Sequence, residues 1–148
     1  MSVTIDANVL LYASDAGSPR QAVALDVLRE HAEGHGLLYL FWPVALAYLR
    51  IATHPSIFDR PLSPAEATGN LRGLVERPNV RTPGEDERFW VTLQDTIQAT
   101  TARGNLVPDA HIAALMRTHG VRTIISHDRD FRKFPGIEVV DPFPAVAA

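Results

Sequence analysis

Short apolar runs separated by longer helical stretches leave this chain very few architectures. Residues 2–6, 37–41, 122–126 and 137–140 read as strands from their β-branched and aliphatic content, and 79–81 is a weaker candidate. Between them lie helical periods. Ser18-Pro19 reads as a helix opening, followed by Val23, Leu25, Val27 and Leu28 and a stop at Gly34 and Gly36. Pro43 opens a second helix that Pro55 closes, and Ser63-Pro64-Ala65-Glu66 caps a third that runs to about Glu76. A fourth spans Glu85 to Arg103, and a fifth spans Pro108 to His119 and ends at Gly120. Strands alternating with helices of this length form a mainly parallel sheet of four to five strands, covered on both faces. In such sheets ligands collect at the carboxyl ends of the strands.

The chain has 148 residues, 46% of them hydrophobic, enough for one domain over 1–148 with a core that needs no covalent staples. The absence of cysteine excludes disulfides, thiolate zinc sites and cysteine nucleophiles together. No window approaches about 18 uninterrupted apolar residues, and MSVTIDANVLLYA has no basic stretch ahead of its apolar one, so a cytoplasmic protein without membrane spans is expected. The formal charge is −3, unlike a bulk electrostatic nucleic-acid binder. If Asp6, Asp109, Asp128 and Asp130 form one cluster, however, the other 13 acids face 14 bases.

These four acids have positions in common. Asp6 ends the first strand, in VTIDANVLL; Asp109 sits in the first turn of an apolar helix, in NLVPDAHIAALM; Asp128 and Asp130 follow the strand ending at 126, in SHDRDF. Singly, each has an ordinary explanation as a helix cap, a dipole partner or a turn residue. Together they bring carboxylates from separate termini to the same edge of a parallel sheet. In an extended chain Asp128 and Asp130 would share a face and repel, so a cation or basic side chain should lie beside them.

Oxygen-rich clusters without cysteine suit hard divalent cations such as Mg²⁺ or Mn²⁺. The six histidines, at 31, 35, 54, 111, 119 and 127, form no zincin motif. His111 and His127 neighbour candidate acids, though ordinary surface or core placement accounts for them as well. A phosphate-binding GxxxxGK[ST] loop and a GxSxG elbow are both absent, which leaves metal-assisted phosphodiester hydrolysis as the natural chemistry. A phosphatase with a DxD nucleophile after the first strand is disfavoured, because that stretch reads DAN.

The order IDANVLLYA, WPVALAYLRIATHP, NLVPDAHIAAL and SHDRDFRKFPGIEVVDP resembles the PIN-domain ribonucleases, specifically the VapC toxins of type II toxin-antitoxin modules. The resemblance implies a three-layer α/β/α domain, Mg²⁺- or Mn²⁺-dependent endoribonuclease activity on RNA, a cognate antitoxin and a homodimer. Carried over by position, it makes Asp6, Asp109 and Asp128 metal ligands, Asp130 a supporting acid and Ser126 an associated hydroxyl. Such toxins typically carry a glutamate in the helix after the second strand, and here that position is Ala47. No Asp or Glu occurs from Gly34 through Phe58. The alternatives are a variant working with Asp6, Asp109, Asp128 and Asn8, an engineered inactive form, or a silent domain that binds RNA or antitoxin without cutting.

Arg129, Arg132 and Lys133 interleave with the last acids and with Phe131 and Phe134, where they can seat an RNA backbone or balance charge. Trp42, Phe41 and Tyr48 are expected in the core rather than stacked on bases. The apolar segment 18–54 offers a face to an antitoxin helix or to a second copy of the chain.

Overall fold

Ser2–Ile5 forms β1, the centre of a parallel sheet in the order β3-β2-β1-β4-β5. The other strands are β2 (Leu37–Tyr39), β3 (Val80–Arg81), β4 (Thr123–Ile125) and β5 (Glu138–Val140). The computed structural model describes residues 1–144; of the expected domain over 1–148, positions 145–148 lie outside the described residues. Val3, Thr4 and Ile5 are all buried, as expected of a strand covered on both faces. The hydroxyl of Thr4 donates to the Tyr39 carbonyl at 2.7 Å, which satisfies the polar group that this strand takes into the core.

Six helices connect the strands: α1 (Ala7–Ser14), α2 (Gln21–Glu33), α3 (Trp42–Ala52), α4 (Pro64–Val75), α5 (Phe89–Thr100) and α6 (Val107–Thr118). Parallel crossovers are right-handed, so the steps from β1 to β2 to β3 lay α1–α4 over one face. The return from β3 to β4, past β2 and β1, lays α5 and α6 over the other. Most helix packing runs within these layers, α1 against α2 and α3, α3 against α4 and α5 along α6, while α3 also meets α6. Among the described residues no helix is long and apolar enough to cross a membrane.

The expected α/β class and five-strand parallel sheet are present, but several boundaries differ. Helix α1 occupies a stretch that the sequence shows only as a passage from strand to helix, because Asp6 caps it at once. Ser18-Pro19 does not open α2. The Ser18 hydroxyl accepts from the Arg20 N–H at 3.1 Å, forming a turn that delays the helix to Gln21. Helix α5 is shorter than Glu85–Arg103 at both ends. Asp86 accepts from the Arg88 N–H at 2.9 Å in a preceding turn, and Thr101 ends the helix in the left-handed region at φ 51°. By contrast, Ser63 and Glu66 form the expected capping box, and Gly120, at φ 70°, ends α6 as expected.

Phe41 and Tyr48 lie in the core as expected, but Trp42 does not. At the first position of α3, on the sheet rim, its side chain is 44% exposed. Tyr48 is buried with its hydroxyl 2.6 Å from that of Ser14 and 3.0 Å from the Asn70 amide, so three helices share one polar knot.

Candidate metal centre

The strand order brings the ends of β1 and β4 side by side. The Asp6 N–H donates to the Ile125 carbonyl at 3.0 Å, and the Ser126 N–H donates to Val140 at 3.0 Å, so the ladder continues one residue past each strand. Asp6 and Ser126 are thereby held as neighbours at the carboxyl edge, where the strand order reverses between β1 and β4. One Asp6 oxygen caps α1 through the Ala7 N–H at 2.7 Å.

The other Asp6 oxygen receives the Ser126 hydroxyl at 2.9 Å and the Asn8 amide at 3.2 Å. Ser126 is fully buried and uses all its hydrogen-bonding capacity. It donates to Asp6 and accepts from the Asp128 N–H at 2.9 Å and from the Asn8 amide at 3.2 Å. It is thus a bridge between two acids.

Asp128 and Asp130 do not meet through extended alternation, because β4 stops at Ile125. Residues 129–133 instead form a 3₁₀ turn that Asp128 caps, its carboxylate accepting from the Asp130 N–H at 2.9 Å. The buried rings of Phe131 and Phe134 root this turn in the core. Of the three basic residues expected either to seat RNA or to balance charge, Lys133 pairs with Asp130 at 3.1 Å.

Asp109 reaches the group from the first turn of α6. One carboxylate oxygen each from Asp109, Asp128 and Asp130 lies within 4.8 Å of the others, the spacing of a cation-holding site. Asp6 adjoins this group closely enough to repel both Asp109 and Asp128. All the acids singled out in the sequence therefore converge. Asp130 joins the inner group, and Asp6 stands beside it, engaged by Ser126, Asn8 and Ala7.

The crowding appears in the acidities. Burial first, then the charges of Asp128, Asp6 and Asp130, push Asp109 from 3.8 up to about 7, against a smaller opposite pull from Lys133. Burial also raises Asp6, and repulsion by Asp128 adds to it, while hydrogen bonds from Ser126 and Ala7 oppose the rise. Carboxylates that resist ionisation together are what an absent positive charge would relieve. An all-oxygen donor set in this geometry fits a hard divalent cation.

Two supporting residues carry a weaker signal in the sequence. Asn8 bridges Asp6, Ser126 and the His127 N–H, the last at 3.4 Å. Asp141, not singled out in the sequence, bonds the His127 ring at 3.0 Å; its only sequence trace is an acid directly after the last strand. His111 bonds Glu85 at 2.7 Å, and this bond is the first cause of that carboxylate's lowered pKa.

The PIN domain family model matches residues 3–137. The chain belongs to the PIN domain family. Ribonuclease VapC48 of Mycobacterium tuberculosis is 49% identical over 143 residues, covering 97% of this chain and 99% of the relative. Ribonuclease VapC37 of the same species is 32% identical over 138 residues, covering 93% and 95%. Among solved structures, the sarcin-ricin loop cleaving toxin VapC20 of M. tuberculosis superposes with a TM-score of 0.65 at 16% identity, covering 92% of this chain and 98% of its own. VapBC2 from Rickettsia felis, bound to a promoter DNA fragment, gives 0.66 at 14% identity, covering 95% and 98%. At that identity the likeness is one of fold. In this PIN domain the acids stand at the carboxyl ends of β1 and β4 and at the head of α6.

Proposed function

We propose that this chain is a divalent-metal-dependent endoribonuclease, the toxin of a toxin-antitoxin module, and that Asp109, Asp128 and Asp130, with Asp6 beside them, hold the cation. The observation that carries the reading is the convergence of three carboxylates within 4.8 Å, one of them Asp109, whose pKa is raised to about 7. The full-length likeness to ribonuclease VapC48 supports RNA as substrate. A toxin-antitoxin complex from Klebsiella pneumoniae among the structural neighbours supports a cognate antitoxin as partner. Mg²⁺ or Mn²⁺ is the cation that oxygen donors favour, and the cytoplasm is where its RNA substrate would be met.

A divalent cation here supplies Lewis-acid stabilisation of charge developing on a phosphodiester and a source of nucleophile near neutral pH. The protein's part is to position and to balance charge. Ser126 and Asn8 fix the Asp6 carboxylate, and the same Ser126 hydroxyl fixes the Asp128 backbone, so the two sides of the site cannot drift apart. Asp109, pushed up to about 7 without a cation, would have to be ionised to hold one, which would make binding proton-coupled below that pH.

Ala47, partly buried on α3, brings no charge to the site, and the inner group consists of Asp109, Asp128 and Asp130. The test is incubation of the purified protein with structured RNAs and Mg²⁺ or Mn²⁺, alongside Asp6→Asn and Ala47→Glu variants. Cleavage by the native chain that is lost on chelation and in Asp6→Asn supports the enzyme. Cleavage confined to Ala47→Glu would instead mark a silent domain, and equal cleavage by every variant a contaminating nuclease.

A further inference from the structure

Behind the acids lies a second set of contacts that the proposed chemistry leaves unused. After β5 the chain turns at Asp141, and both of its carboxylate oxygens are engaged. One accepts from the Phe143 N–H at 3.0 Å, and the other lies 3.0 Å from His127 Nδ1. A carboxylate of this kind only accepts, so Nδ1 carries the hydrogen. The His127 ring is also boxed edge-on by Phe143 at 5.6 Å and by Tyr12 of α1 at 6.2 Å, and Tyr12 and Phe143 meet each other at 5.1 Å. Tyr12 in turn lies under the Arg20 guanidinium at 5.3 Å.

His127 stands between Ser126 and Asp128, the two residues that fix the β4 side of the metal centre. Its backbone N–H donates to Asn8, whose amide reaches both Asp6 and Ser126. A single line of contacts therefore runs from the chain beyond β5, through the imidazole, to the loop that presents Asp128. We propose that Asp141 and His127 are positioning residues, a clamp by which the segment after β5 holds the Ser126–Asp128 loop in its cation-binding conformation.

The inference rests on the metal centre proposed above, and its test separates the two. Mn²⁺ is titrated calorimetrically, without RNA, into the native protein and into Asp141→Ala, His127→Ala, the double variant and the isosteric Asp141→Asn. Amide hydrogen exchange at Asp128 and Asp130 is followed in EDTA. Removing a partner that orients a ligand typically weakens metal binding 10–100-fold. Each alanine variant is therefore expected to bind Mn²⁺ at least about tenfold more weakly and to exchange faster at both amides. The double variant is expected to be no worse than either single one, because both cut the same link. Asp141→Asn keeps the volume and one acceptor oxygen, and is expected to lie between.

Native Mn²⁺ affinity and native exchange in the folded variants overturn the clamp, even if their melting temperatures fall. Full additivity in the double variant overturns it too. A native protein that takes up no Mn²⁺ removes the metal centre itself, and the clamp with it.

Discussion

Replacing Asp109 by asparagine is expected to stabilise the cation-free protein, although it removes a group of the metal centre. The native carboxyl titrates at about 7 instead of 3.8. The folded state therefore holds this proton more tightly than the unfolded state does. The associated stability is fully present below about pH 3.8 and is lost as pH rises through about 7. At about 1.4 kcal/mol per tenfold step, the displacement corresponds to about 4 kcal/mol. Asp109 is only partly buried, and solvent screening reduces this to about 1–2 kcal/mol. Asparagine is neutral at every pH, so Asp109→Asn at pH 8 in EDTA should melt about 2–8 °C above the native protein. The gap should shrink steadily toward pH 4.5. Excess Mn²⁺ should reverse the order, because only the native protein gains from binding. The assay is a thermal melt followed by circular dichroism across pH, with and without the ion. An Asp109→Asn protein that melts below native at pH 8 in EDTA, or a gap that ignores pH, would refute the reasoning.

Ser126→Ala leaves the Asp128 N–H without its partner and takes one bond each from the Asp6 carboxylate and the Asn8 amide, and should cost about 1–3 kcal/mol in urea denaturation; a loss under half a kcal/mol would show that the bridge is dispensable. Tyr48→Phe should cost about 1 kcal/mol, since its buried hydroxyl joins Ser14 and Asn70. The Asn70→Ala change made in that background should then add less than it does alone. Ser63→Ala removes half of the capping box of α4 and should lower stability by about 1 kcal/mol without changing Mn²⁺ affinity. A changed affinity there would mean that α4 communicates with the site.

Four of the strands are legible because each contains a short aliphatic run, whereas β3, Val80–Arg81, has too few residues to stand out, and parallel pairing follows once helices separate them. Helix ends were less so. The Ser18 hydroxyl closes a turn where Ser-Pro usually opens a helix, and Thr101 adopts a left-handed conformation that its side chain disfavours. Asp6 and Asp109 could be read from their positions at element ends. The pairing of Asp128 with Asp130 was anticipated for a different reason from the one found, since a capped 3₁₀ turn rather than strand alternation brings them together. Asp141 was hidden because its meaning depends on a histidine 14 residues earlier and on two rings from other elements. The exposure of Trp42 is not legible either, because its apolar character does not reveal that the first position of α3 faces solvent.

The bond between Ser126 and Asp6 joins residues 120 positions apart. During synthesis, the early half of the chain can fold α1 and α2 and collect an apolar nucleus, but of the four clustered acids it holds only Asp6. The acid cluster can close only after the strand before Ser126 has been made and has slotted in beside β1, so the site stays incomplete until synthesis of the domain is nearly done.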